Sequence, residues 1–292
     1  MGRGPAARLP ARPAPVPGRR RREGGGGRLM LRLDDITQTF FAGTANERVA
    51  LRGVTLALEP GEFVTVIGSN GAGKSTLLNV AAGKLRPGTG TVTVAGADVT
   101  ALADHQRARD VARVFQDPMA GTAPHMNIEE NLALAYERGR RRGLRRGVTA
   151  AKRELFAREL ATLELGLEPR LKAKVGMLSG GQRQALSLLM ATFSHPKILL
   201  LDEHTAALDP QRAELVARLT AEAVERHHLT TLMVTHNMEQ ALRLGTRLVM
   251  MHEGRIILDL DAATKATTTV ADLLGEFEKI KGARLDDRTM LQ

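Results

Sequence analysis

The sequence contains no cysteine and no tryptophan, and only one tyrosine. The missing cysteine excludes disulfides, thiolate metal sites and cysteine nucleophiles together, and it fits a reducing compartment. With seven phenylalanines as the only other aromatics, the core has to be built from Leu, Val, Ile, Ala and Met. Hydrophobic residues make up 43% of the 292 positions, enough for one large α/β domain or two small ones. No apolar run approaches the roughly 18 residues that a membrane-spanning helix needs. Work at a membrane would therefore require a partner.

Positive charge is in excess, but it is local. Residues 1–28 hold eight Arg and one Glu, which leaves only +3 of the total +10 for the remainder. Within that remainder Arg138, Arg140, Arg141, Arg142, Arg145 and Arg146 form a cluster, without which the body would be slightly acidic. A generally basic surface is not indicated, so nucleic acid is not an expected partner. The cluster reads either as a solvated face or as an attraction to anionic headgroups.

The segment 1–29 carries five of the twelve prolines, the run Arg19–Arg22 and the glycines Gly24–Gly27. It lacks the apolar stretch of a secretory signal and reads as a disordered basic extension. Glu23–Gly27 must be encoded by purine-rich codons just ahead of Met30, about where a bacterial ribosome-binding site would lie. Translation is expected to start at Met30, with a single domain over 30–292.

From Met30 onward, strand-like apolar runs alternate with helical patterns, the signature of an α/β domain with a largely parallel sheet. Phe63–Ile67, Val111–Phe115, Ile198–Leu201 and Thr231–Val234 read as buried strands. Leu248–Met251 and Ile256–Leu258 flank Glu253-Gly254, a hairpin-like turn. Between about 117 and 177 the pattern turns helical and charged, which reads as an inserted helical block.

Gly68-Ser69-Asn70-Gly71-Ala72-Gly73-Lys74-Ser75, followed by Thr76, matches the phosphate-binding loop G-x-x-x-x-G-K-[ST] between a strand and a helix. Its glycines let backbone N–H groups turn inward onto phosphates, aided by the helix N-terminus. Lys74 is expected at the β- and γ-phosphates, and Ser75 at Mg²⁺. Ile198–Leu201 ends in Asp202 and Glu203, two carboxylates where packing alone gives no reason for charge. Asp202 is expected to hold Mg²⁺ through water and Glu203 to act as general base; helix capping is the plainer alternative. Ser179-Gly180-Gly181-Gln182 after Leu178 is also a capping box, yet two glycines in a first helical turn cost up to about 1 kcal/mol each. Close approach of an anion to backbone amides would explain them.

With these motifs in this order, the chain resembles the ATP-binding cassette (ABC) ATPases from Met30 to about Phe277. The resemblance implies a P-loop NTPase (RecA-like) core with a mostly parallel sheet, an antiparallel β subdomain and a helical subdomain insertion. Gln116 resembles the Q-loop glutamine that touches Mg²⁺ and senses the transmembrane partner. Asp209 resembles the D-loop aspartate, and His236 the switch histidine at the γ-phosphate. Phe40 stands where the family stacks an aromatic on adenine, with Phe41 as the alternative. His204 departs from the proline common after the Walker B glutamate.

The resemblance further implies ATP and Mg²⁺ as cofactors and a homodimer closed through the nucleotide sites, in which Ser179 and Gly181 of one subunit complete the other's site. It also implies transmembrane permease subunits, a location on the cytoplasmic face of the membrane and, for the importers this chain resembles most, an extracytoplasmic binding protein. Some of those relatives are associated with aromatic amino acid uptake. A chromosome-organising ATPase is disfavoured because residues 117–177 are too few for long coiled arms. A soluble assembly ATPase and an exporter remain as rivals.

Overall fold

The computed structural model describes residues 29–139 and 147–289, with side chains as far as Lys279. The basic extension 1–28 and the arginines at 140–146 lie outside the described residues. Met30 already joins the fold: its N–H donates to the Leu58 carbonyl and its carbonyl accepts from Ala95.

In chain order, β1 (Leu31–Phe40), β2 (Arg48–Leu58) and β3 (Phe63–Gly68) lead into α1 (Lys74–Ala82). Then come β4 (Thr89–Val94), β5 (Ala97–Asp98), α2 (Asp104–Arg107) and β6 (Val111–Val114). The helical stretch holds α3 (Ile128–Tyr136), α4 (Ala150–Ala161) and α5 (Gly180–Thr192). It is followed by β7 (Ile198–Asp202), α6 (Pro210–His227), β8 (Thr230–Val234) and α7 (Met238–Arg243). The chain closes with β9 (Arg247–His252), β10 (Arg255–Leu260), α8 (Ala262–Thr267) and α9 (Val270–Thr289).

Two sheets result. One is antiparallel, in the order β2-β1-β4-β5, and the other runs β10-β9-β3-β8-β7-β6. All pairs of the second are parallel except the β9–β10 hairpin. Its central strands are apolar on both faces. Ile198 and Leu200 of β7 enter the core shared with α1 and the antiparallel sheet, while Leu199 and Leu201 enter the core under the helical stretch. Each of these four side chains is fully buried, worth about 1.5–3 kcal/mol apiece against exposure. That two-sided burial is why the strands read as unbroken apolar runs instead of alternating patterns.

The parallel strands β3 and β7 end on the same side of the sheet, in Gly68 and Asp202. An open parallel sheet places its ligand site at such carboxyl ends.

Candidate functional site

The loop after β3 is shaped by backbone contacts. Ala72 N–H turns back onto the Ser69 carbonyl at 3.1 Å, and Gly73 enters α1 at φ 98°. A Cβ on Gly73 would stand 2.4 Å from the Ala50 carbonyl oxygen, so only glycine lets the loop lie this close to β2. The β9–β10 turn buttresses it from the other side, where Gly254 N–H donates to the Ala72 carbonyl at 3.0 Å. Lys74 curls over the loop, its Nζ donating to the carbonyls of Gly68 at 2.7 Å and Ser69 at 3.1 Å. Burial lowers this ammonium below the ordinary lysine value, opposed by the nearby charges of Glu203 and Asp202.

Around this loop opens a cleft of about 250 Å³, lined by Phe40, Arg48, Ala50, residues 70–76 and Glu203. Phe40 is part of the wall, whereas Phe41 is 70% exposed and is not.

Glu203 sits at the sheet edge with φ 45°, a left-handed conformation that is costly for a side-chain-bearing residue. Its N–H is held by the Val234 carbonyl at 2.9 Å. His236 approaches from the end of β8, with Nδ1 3.4 Å from Glu203 Oε2. The expected base and the expected switch histidine are therefore neighbours. Asp202 is engaged on one oxygen: its Oδ2 accepts from Arg113 Nη2 at 2.5 Å, an ion pair with little exposure on either side. The charge that packing could not explain from the sequence has a partner on the adjacent strand.

Ser179 caps α5, its Oγ accepting from Gln182 N–H while Gln182 Oε1 accepts from Ser179 N–H. A Cβ at Gly180 would make only ordinary contact, at 3.5 Å from Leu208. At Gly181 it would press on the Arg212 side chain at 3.0 Å, so packing inside the protomer already favours glycine there. Neither glycine, nor Ser179 or Gln182, lines the cleft of its own protomer. Gln116 is exposed in the bend after β6, and Asp209 caps α6 by accepting from Arg212 N–H at 3.1 Å. These residues lie outside the cleft as well.

His204 does not bring charge to the site. It is 2% exposed and meets Thr220 Oγ1 through Nε2 at 2.9 Å. Burial pushes it down to about 4, so the ring is neutral at ordinary pH.

The ABC transporter family pattern matches residues 51–206, which span the loop, the signature and the β7 carboxylates. The chain belongs to the ABC transporter family. It is an ATP-hydrolysing cassette, and its relatives are subunits of transporters. The tyrosine transport ATP-binding protein of Clostridioides difficile is 42% identical over 249 residues, covering 85% of this chain and 99% of that protein. The thiamine import ATP-binding protein ThiQ of Salmonella choleraesuis is 36% identical over 227 residues, covering 78% and 88%. Among solved structures, the dimeric post-hydrolysis state of the cassette MJ0796 bound to ADP and Pi superposes with a TM-score of 0.69 at 28% identity, covering 80% of this chain and 99% of that one.

The cassette's own donor set fits a nucleotide with a hard cation. The amide-rich loop and a cationic Nζ suit a polyphosphate; the exposed Ser75 of the cleft, and outside its lining the Asp202 carboxylate whose charge acts on Lys74, are the oxygen donors for a cation. Among the described residues no three His, Asp or Glu side chains form a cage of their own, and Mg²⁺ shared with phosphate oxygens needs none.

Two residues near this site went unread in the sequence. Arg48 lines the cleft and reaches the Gly71 carbonyl at 3.5 Å, but no motif surrounds it. Arg113 had a signal: a cation inside the apolar run Val111–Phe115 demands a buried partner.

Proposed function

We propose that the cassette works as a homodimer that powers import of a small, amino-acid-like solute through a separate permease, fed by an extracytoplasmic binding protein. The observation that carries the dimer is the incompleteness of the cleft: it contains the loop and Glu203, while Ser179 and Gly181 lie outside its lining. A partner docked head to tail would bring its own Ser179 and Gly181 to the open mouth. The dimeric structure of the MJ0796 cassette supports this reading.

In this reading Phe40 takes the adenine, and Ser69–Thr76 with Lys74 take the phosphates. Mg²⁺, held by Ser75, Asp202 and Gln116, would neutralise charge on the transferring phosphoryl group. Glu203 accepts the proton of the attacking water, and His236 steadies the γ-phosphate end. Asp209 faces the partner subunit across the interface. Residues 30–292 act as one domain, with the helical stretch 117–177 relaying closure to the permease. No helix among the described residues is long and apolar enough to cross a membrane. As a transporter subunit the cassette would attach peripherally, at the cytoplasmic face.

Glu203→Gln with ATP is expected to give a stable species of twice the protomer mass in size-exclusion chromatography with light scattering. A variant that stays monomeric and hydrolyses ATP at the wild-type rate would overturn the assignment. The solute is suggested by the tyrosine transport relative. Co-reconstitution with its permease partner should give ATP-driven uptake of labelled tyrosine over thiamine; the reverse preference would refute the amino-acid-like reading.

A further inference from the structure

Asp202 and Asn79 lie on two different elements, β7 and α1, and one guanidinium joins them. Arg113 Nη2 donates to Asp202 Oδ2 at 2.5 Å, and Nη1 donates to Asn79 Oδ1 at 2.7 Å. The guanidinium carbon also sits 4.9 Å from the centroid of the Phe115 ring. Side-chain exposure is 11% for Arg113 and 14% for Asp202. Val111, Ala112 and Val114, its neighbours on β6, are buried hydrophobics. A charge held in such surroundings persists only where a partner compensates it, and the coupling within the pair is strong.

We propose that Arg113 is a positioning residue for Asp202, a resident counter-ion that sets how much Mg²⁺ the nucleotide site requires. The proposal rests on the reading of Asp202 as a Mg²⁺ ligand. Arg113 engages Oδ2, which holds the carboxylate in place and leaves Oδ1 for an incoming cation. Its positive charge also opposes that cation, so the site fills only when Mg²⁺ arrives together with the negative charge of the nucleotide. Because Arg113 stands three residues before Gln116 and bonds to the helix that begins at Lys74, it links β6, α1 and β7 through a single side chain.

The test is a Mg²⁺ titration of fluorescent-ATP binding to the full-length protein, read without turnover by using an analogue that is not hydrolysed. Arg113→Met is expected to lower the half-saturating Mg²⁺ concentration by about three-fold or more, because the opposing charge is gone. Arg113→Lys, which keeps that charge, is expected to stay near the wild type. Asp202→Asn should raise the requirement by about ten-fold or more. If Asp202→Asn behaves as expected while Arg113→Met matches the wild type or raises the requirement, the counter-ion role is refuted; if Asp202→Asn has no effect, the metal reading of Asp202 fails instead. Melting of the nucleotide-free protein in EDTA provides an independent readout. The Arg113→Met, Asp202→Asn double variant should lose less stability than the two single losses added, and additive losses would overturn the proposed coupling.

Discussion

The imidazole of His236 stands with Nδ1 3.4 Å from Oε2 of Glu203, although the two residues belong to loops that leave different strands. Those loops are tied to each other beneath the pair. Thr205 and Thr235 both donate to Oε1 of the buried Gln240, at 3.2 and 3.1 Å. In the proposed mechanism His236 acts beside Glu203 at the γ-phosphate end, while Phe40 and the loop after β3 carry most of the nucleotide binding. His236→Ala is therefore expected to lower kcat by about 10²-fold or more while changing ATP affinity less than about three-fold. Steady-state hydrolysis together with equilibrium binding separates these quantities, and parallel losses in both would refute the division.

His204 occupies the position where the family's proline would stiffen the chain, and it achieves a similar tether by hydrogen bonding. The Thr220 hydroxyl spends its single proton on the Val216 carbonyl at 2.7 Å, so it accepts from His204, and Nε2 carries the hydrogen. Thr220→Val removes that acceptor and leaves a buried N–H unpaired. The expected loss is about 1–3 kcal/mol in denaturant unfolding. A loss well below that range would show that the tether contributes nothing to stability.

The strands β3, β6, β7 and β8 and the hairpin β9–β10 were legible because each is a short apolar run bounded by turn residues. The loop of Gly68–Ser75 was legible because its chemistry is local: one contiguous segment supplies both the glycines and the cation. The partners Arg113–Asp202 and Arg48–Gly71 were not legible, since 89 and 23 residues separate them and only the folded sheets bring them together. Gly181 shows the opposite hazard. Its glycine was assigned to anion approach alone, yet contact with Arg212 gives it a second reason that only packing reveals.

Lys265 is 5% exposed and donates to the carbonyls of Leu244 and Gly245, and among the described residues no carboxylate pairs with it. Burial pushes it down to about 8 from 10.5. Between those values the unfolded chain keeps the proton and the folded chain releases it, so stability should rise with pH across that window. Below about 8 the full cost of holding a buried cation is present; above 10.5 it has vanished. Lys265→Met should therefore show a flatter stability profile from pH 8 upward in urea denaturation. Parallel profiles for the two proteins would contradict the assignment.

The turn Glu253-Gly254 has both residues at positive φ, 44° and 76°, the backbone pattern of a type I′ hairpin. Its Gly254 is also part of the nucleotide loop's support: the N–H donates to Ala72 and the carbonyl accepts from Arg52 at 2.8 Å. A Cβ there would stand 2.7 Å from the Ala50 carbonyl oxygen, a backbone atom that cannot rotate away. Gly254→Ala should consequently cost about 1–3 kcal/mol of stability and also weaken ATP binding, because relieving the clash moves the turn off the loop. Gly61→Ala is the matched comparison. Its φ is 75°, with nothing within 4 Å of the added Cβ, so it carries the backbone strain without the contact. Loss of stability in both variants with weaker nucleotide binding in Gly254→Ala alone would assign the binding effect to the turn–loop hydrogen bond. Equal binding in the two would instead mean that the loop keeps its shape without the hairpin.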